Sequence, residues 1–257
     1  MHSAVRCFAA FVLGCLWCMG SVADDETRAL NAAGGEFTTF VRTARGTPHG
    51  TLVLLPADGA HPEAVEAMER LRRDLPTHGW TTWLITLDPP PGIRSGRIDP
   101  GVQQEPSQPP PDAGHAEALA RWAEHGEARI AATLTAARAA NPTVVLAAAG
   151  PAAALLLHAL PGATAALLIE PVELPGLALA WPQPLPAPVM EILRPALAIQ
   201  RPPPARGSSD HEAARRYRRL LIDVTNVEPF GVETLLTRRV RGWLSTLQPA
   251  SAAAAAD

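Results

Sequence analysis

Apolar positions along the chain follow two periods in turn. From Glu36, EFTTFVRTA mixes β-branched and aromatic residues with polar ones, RGTPHG breaks the run, and TLVLLPA resumes it from Thr51 to Ala57. This predicts an N-terminal antiparallel hairpin. The period then lengthens: Pro62 suits a first helical turn, and Val65, Met68, Leu71 and Leu75 recur at helical spacing. Gly79 closes that unit, and WTTWLITL reads as the next strand.

After Leu87 the pattern stops. DPPPGIRSGRIDPGVQQEPSQPPPDAG, residues 88–114, holds no apolar period and reads as a disordered, Pro-rich surface loop. A helix from about His115 to Ala140 follows and Asn141-Pro142 ends it. Next come the strand TVVLAAA, a helix from Pro151 to Leu160, the strand ATAALLIE, a long loop with Trp181, and the strand PVMEIL. Ser209 and Glu212 have capping-box spacing, which predicts a helix through Arg219. LLIDVTNV is then a last strand. Gly231 to Leu247 is a last helix, with Val232, Leu236, Val240, Trp243 and Leu247 on one stripe.

A hairpin followed by alternating helices and strands predicts an α/β fold, a mostly parallel sheet with helices on both faces. Ligands in such sheets gather where the strands end. The loops at 56–62, 88–114, 149–152, 171–188 and 227–231 should therefore share one rim.

The ends differ from this body. Arg6, the apolar run FAAFVLGCLWCMG and the small residues Ser21 and Ala23 read as a cleaved signal peptide, residues 1–23, on a protein exported to the periplasm. The run is shorter than the roughly 20 residues of a membrane anchor. A lipoprotein site at Cys15 fits less well, because apolar Leu16 to Met19 follow it. Residues 24–248 form a single domain, and 249–257 are a disordered tail. All three cysteines, Cys7, Cys15 and Cys18, fall within the signal, so the mature chain has no thiol chemistry.

The formal charge is −3 and every cation apart from histidine is arginine, interleaved with carboxylates. Nothing in this pattern indicates a nucleic-acid surface, and no transmembrane segment follows the signal. The cluster Arg215, Arg216, Arg218 and Arg219 reads as a solvated helix face.

The run GTLVLLPADGAHPEAVEAMERLRRDLPTHGWTTWLITLDPP resembles part of a proteobacterial family of secreted α/β-hydrolase-like proteins of unknown function. The resemblance continues through VVLAAAGPAAALLLHAL, Pro188 to Ile192 and Arg238 to Leu244. It implies an α/β-hydrolase fold and export, and supplies no substrate.

Serine hydrolysis in that fold needs a nucleophile on the strained strand-to-helix turn, then an acid, then a late histidine. Laying Gly-x-Ser-x-Gly on Ala148 to Ala152 places Gly150 at the nucleophile, and Pro151 removes the following oxyanion N–H. No serine, threonine or cysteine lies between Val144 and Pro161, so the elbow is degenerate. His211 is the last histidine, and the loop after the last strand reads NVEPF. Glu191 falls within a strand, and the loop after it lacks a carboxylate.

Other chemistry centres on Asp58 and His61, where hydrolases place their second oxyanion donor, and on Glu170 at the same rim. Turn chemistry favours the plainer reading, Asp58 as a turn residue and His61 as the cap of the helix that Pro62 begins. His115, Glu117, His125 and Glu127 do not converge as zinc ligands, and with neither GxGxxG nor a P-loop, no metal or cofactor is indicated. The expectation is a non-catalytic protein that binds a small apolar ligand or an envelope partner. The alternative is an enzyme working from Asp58, His61 and Glu170.

Overall fold

The computed structural model describes residues 25–56, 58–92, 113–200, 216–222 and 233–247. Its centre is an eight-stranded sheet in the order β1-β2-β4-β3-β5-β6-β7-β8. The strands are β1 (Glu26–Ala32), β2 (Gly35–Arg42), β3 (Gly50–Leu54), β4 (Trp80–Ile85), β5 (Val144–Ala149), β6 (Ala165–Ile169), β7 (Val189–Leu193) and β8 (Tyr217–Leu221). From β4 to β8 every pairing is parallel. Strands β3, β5, β6 and β7 are buried along their whole length, as parallel strands covered on both faces require.

Side chains that alternate along each strand feed two cores. Val53, Val144, Leu146 and Leu168 face α2 (Ala113–Ala140) and α3 (Ala153–Ala159). Leu52, Val145, Leu167 and Ile192 face α1 (Pro62–Asp74) and α5 (Leu235–Ser245). A short α4 (Pro195–Gln200) follows β7. Among the described residues no helix is long and apolar enough to cross a membrane. The expected signal peptide, most of the expected Pro-rich loop, most of the helix expected from Ser209, and the tail fall outside the described residues.

The antiparallel N-terminal hairpin is present, but its partner differs from the one read in the sequence. Strand β3 does not pair with β2; β1 does, from Glu26↔Val41 to Ala32↔Gly35. The loop after β2 passes beneath β4 instead, with Arg45 N donating to Pro76 O and His49 N to Gly79 O, each at 2.7 Å. Strand β4 is thereby inserted between β2 and β3. Asp25, just before β1, accepts from Arg42 at 3.0 Å and from Arg72 of α1, tying the sheet edge to the helix.

Two further expectations are corrected. Val65 is 43% exposed, and the buried face of α1 runs through Ala64, Ala67, Met68 and Leu71. Strand β8 begins at Tyr217 rather than at Leu220, so the predicted helix does not reach Arg219. The arginine cluster is accordingly not one solvated helix face. Arg216 donates to Leu185 O at 2.9 Å and Arg219 to Glu191 at 2.8 Å. A fully buried carboxylate on β7 draws the arginine in, and burial of Tyr217 fixes the strand.

Candidate functional site

Strand β5 delivers the chain into a tight 3-10 turn, Gly150–Ala152, before α3 begins. Gly150 has φ +57, a left-handed angle that glycine adopts freely and other residues rarely do. The turn is capped from outside: Val172 N donates to Gly150 O at 3.0 Å. The next residue, Pro151, has no N–H to offer.

The space over Gly150 is occupied. A Cβ placed there would lie 2.6 Å from Ala60 Cβ, 2.7 Å from Ala60 Cα and 3.1 Å from Ala60 N. The loop between β3 and α1 therefore packs its backbone where a side chain at position 150 would stand. Sequence reading found the missing hydroxyl but not this contact, since an alanine in a loop carries no chemical signature.

Beside this turn the ends of β6 and β7 carry opposite charges. Glu170 directly follows β6 and Arg194 directly follows β7, and these two strands pair in parallel register. Arg194 Nε and Nη2 donate to the two oxygens of Glu170 at 2.5 and 3.0 Å, the bidentate fork that guanidinium and carboxylate favour. Glu170 is 2% exposed and takes a positive φ of 44. The acid sought after β7 is thus replaced by a cation. The same guanidinium reaches Glu63 of α1, at 4.0 Å from Nη1.

His61 stands just before α1, and its carbonyl accepts from Ala64 N at 2.9 Å and Val65 N at 3.1 Å. Its side chain makes no capping bond; Nδ1 pairs with Glu63 instead. His61, Glu63, Arg194 and Glu170 therefore form one polar chain. Asp58 is not part of it. It helps line a cleft of about 350 Å³ between α1 and the end of β4, walled by Leu54, Pro56, Val65, Met68 and Leu84. The structure joins two of the three sequence candidates through Glu63 and Arg194 and sets the third apart.

A second buried polar group lies deeper, between β7 and β8. Tyr217 OH donates to Glu191, and Arg219 Nε lies 2.8 Å from the same carboxylate. Burial, then the hydrogen bond to Glu191, holds the Tyr217 phenol well above its ordinary value of 10.0. Trp181, from the long loop after β6, meets the Tyr217 ring edge-on with centroids 5.7 Å apart. His158, near the end of α3, pairs with Glu127 at 2.8 Å on the surface.

Among solved structures the chain is similar to a cold-adapted esterase from an Arctic intertidal metagenomic library. The identity is 13%, the alignment covers 88% of this chain and 94% of that one, and the TM-score is 0.53. It is also similar to a lipase/esterase from Lactobacillus plantarum, at 12% identity, 88% and 100% coverage and a TM-score of 0.50. At such identities the likeness establishes the α/β-hydrolase fold alone. No curated protein matches the chain. A family profile does match, over residues 18–162, and the chain belongs to that family, described as "Protein of unknown function (DUF3530)".

Proposed function

We propose that this is an exported α/β-hydrolase-fold protein that has lost serine catalysis and acts by binding a small apolar ligand or an envelope partner. The observation that carries this reading is Ala60 packed over Gly150, which makes the turn a degenerate elbow with no room for a nucleophile. Pro151 removes the adjacent oxyanion donor, and Arg194 neutralises Glu170, the buried carboxylate that follows β6. The apolar cleft beside Asp58 supports a hydrophobic ligand, because its volume falls within the range of small-molecule sites. A fluorophosphonate probe tests the first half: no covalent label is expected. Labelling of the mature chain that disappears on denaturation would overturn the reading. N-terminal sequencing of the chain recovered from the envelope tests export, with a start at Asp24 expected.

One observation favours a second reading, an enzyme of another class: His61 is half-exposed and already engaged with a carboxylate, the arrangement of an oriented base. Loss of an activity on purified protein in both His61→Ala and Asp58→Ala, with the fold intact, would support it. Unchanged activity and binding in both variants would remove it.

A further inference from the structure

At the end of the sheet opposite the rim, a bowl of about 490 Å³ opens below β3 and β4. Its wall is built from the loop after β2 (Arg45, Thr47, His49), from His78 in the turn after α1, and from Arg241 near the end of α5. We infer that this bowl binds a phosphoryl group. The inference is independent of the reading of the rim.

The lining carries two guanidinium groups, Arg45 and Arg241, and no carboxylate among the described residues. Glu233 is held by Arg241 in two bonds of 2.7 and 3.0 Å and lies 3.5 Å from His78 and 3.9 Å from Arg238. The next carboxylate, Asp74 at the end of α1, accepts from Thr237 at 3.0 Å. Glu233 thus offsets Arg241, and Arg45 is left over. Its guanidinium makes no hydrogen bond or ion pair among the described residues, nor does the imidazole of His49.

The backbone of the loop that carries Arg45, Thr47 and His49 is held in place. The two backbone bonds from Arg45 and His49 to Pro76 and Gly79 pin both ends of the loop. Gly79, at φ +80, lets the loop lie so close that a Cβ there would meet His49 Cδ2 at 2.5 Å and Thr47 O at 2.7 Å. A guanidinium fork, an imidazole and the Thr47 hydroxyl on a fixed loop suit a group with several acceptor oxygens and a double negative charge. Ser245 and Thr77 contribute no donors, since their hydroxyls already bond Gly242 O and Asp74 O. The bowl exceeds a lone phosphate, so the phosphoryl group would belong to a larger molecule, either a soluble phosphate ester or a phospholipid headgroup.

The test titrates the full chain with inorganic phosphate, with acetate at equal ionic strength as the control, and follows amide shifts of Arg45 and His49. In parallel, the protein is co-sedimented with phosphatidylglycerol and with phosphatidylcholine vesicles. Saturable, phosphate-selective shifts that weaken about ten-fold in Arg45→Ala are expected. With no sedimentation they point to a soluble ester; with Arg45-dependent sedimentation on phosphatidylglycerol alone they point to a headgroup. Equal responses to phosphate and acetate, or phosphate binding and sedimentation both unchanged in Arg45→Ala, would overturn the inference. Arg45 is exposed and its side chain supports no contact, so the variant should fold.

Discussion

Glu170 and Arg194 each stand one residue beyond the end of neighbouring parallel strands, and their side chains close a two-bond fork across the rim. Removing the cation alone strands a carboxylate that is 2% exposed. Arg194→Met should cost about 3 kcal/mol in urea denaturation, at the low end for a broken buried pair because Arg194 keeps part of its side chain in solvent. The double change Glu170→Gln, Arg194→Met should cost clearly less than Arg194→Met. A double variant as unstable as the single one would show that the fork is not what the carboxylate requires.

Serine at position 150 should fail to create a hydrolase. The positive φ costs a side-chain-bearing residue about 1–2 kcal/mol, before any displacement of Ala60. Gly150→Ser should therefore be destabilised by roughly 2 kcal/mol or more and hydrolyse p-nitrophenyl acetate no faster than the parent. An unchanged melting temperature would refute the close packing of Ala60.

The chain contains a single tyrosine, so phenolate absorbance reports Tyr217 alone. Burial and the bond to Glu191 raise this group, and a raised acid favours its neutral form in the folded state. Its contribution to stability is fully present below the ordinary value of 10.0 and is lost as pH rises through that value toward the folded one. An absorbance titration of the native protein should show no phenolate step near 10.0, and unfolded chain in urea should restore it. Tyr217→Phe should cost about 1–3 kcal/mol by leaving Glu191 short of a donor.

Glu233 behaves with the opposite sign. Its hydrogen bonds to Arg241, opposed by partial burial, hold the carboxyl below its ordinary value of 4.5. The stability it contributes is present above that value and is lost as pH falls below it, through the folded value. Acid unfolding of Glu233→Gln should lack this part of the pH dependence, which urea midpoints measured from pH 6 down to pH 3 would read directly.

The cleft between α1 and β4 should take up apolar probes through Val65. Val65→Arg, at a half-open position on its wall, should lower the affinity for the uncharged dye Nile red by about ten-fold without a change in melting temperature. Equal affinity would place the probe elsewhere.

What the sequence made legible was the part written in composition and period. The apolar strands Val144 to Ala149 and Ala165 to Ile169, the stripe on α5, and glycine where a nucleophile would stand all follow from residue type alone. The contacts that give Gly150 its meaning did not. Ala60 reaches it through the path of a loop, and Arg194 faces Glu170 because of strand register. That second link had a usable signal, opposite charges directly after two consecutive buried strands. Strand β8 was read late because arginines at 218 and 219 mask its period, one exposed and one drawn inward by Glu191. The hairpin was assigned to the wrong partner because a six-residue turn looks the same whether the chain doubles back or steps over a strand.

The approach of Ala60 to Gly150 also bears on how such a chain could be altered by selection. A library varying one codon at a time would reach serine at position 150 only through a protein whose loop no longer seats, and screens that demand expression would discard it before any turnover could be detected. Variation at 60 and 150 together, with the proline at 151 replaced, is the smallest search in which a reactive hydroxyl and a place for it arise at once.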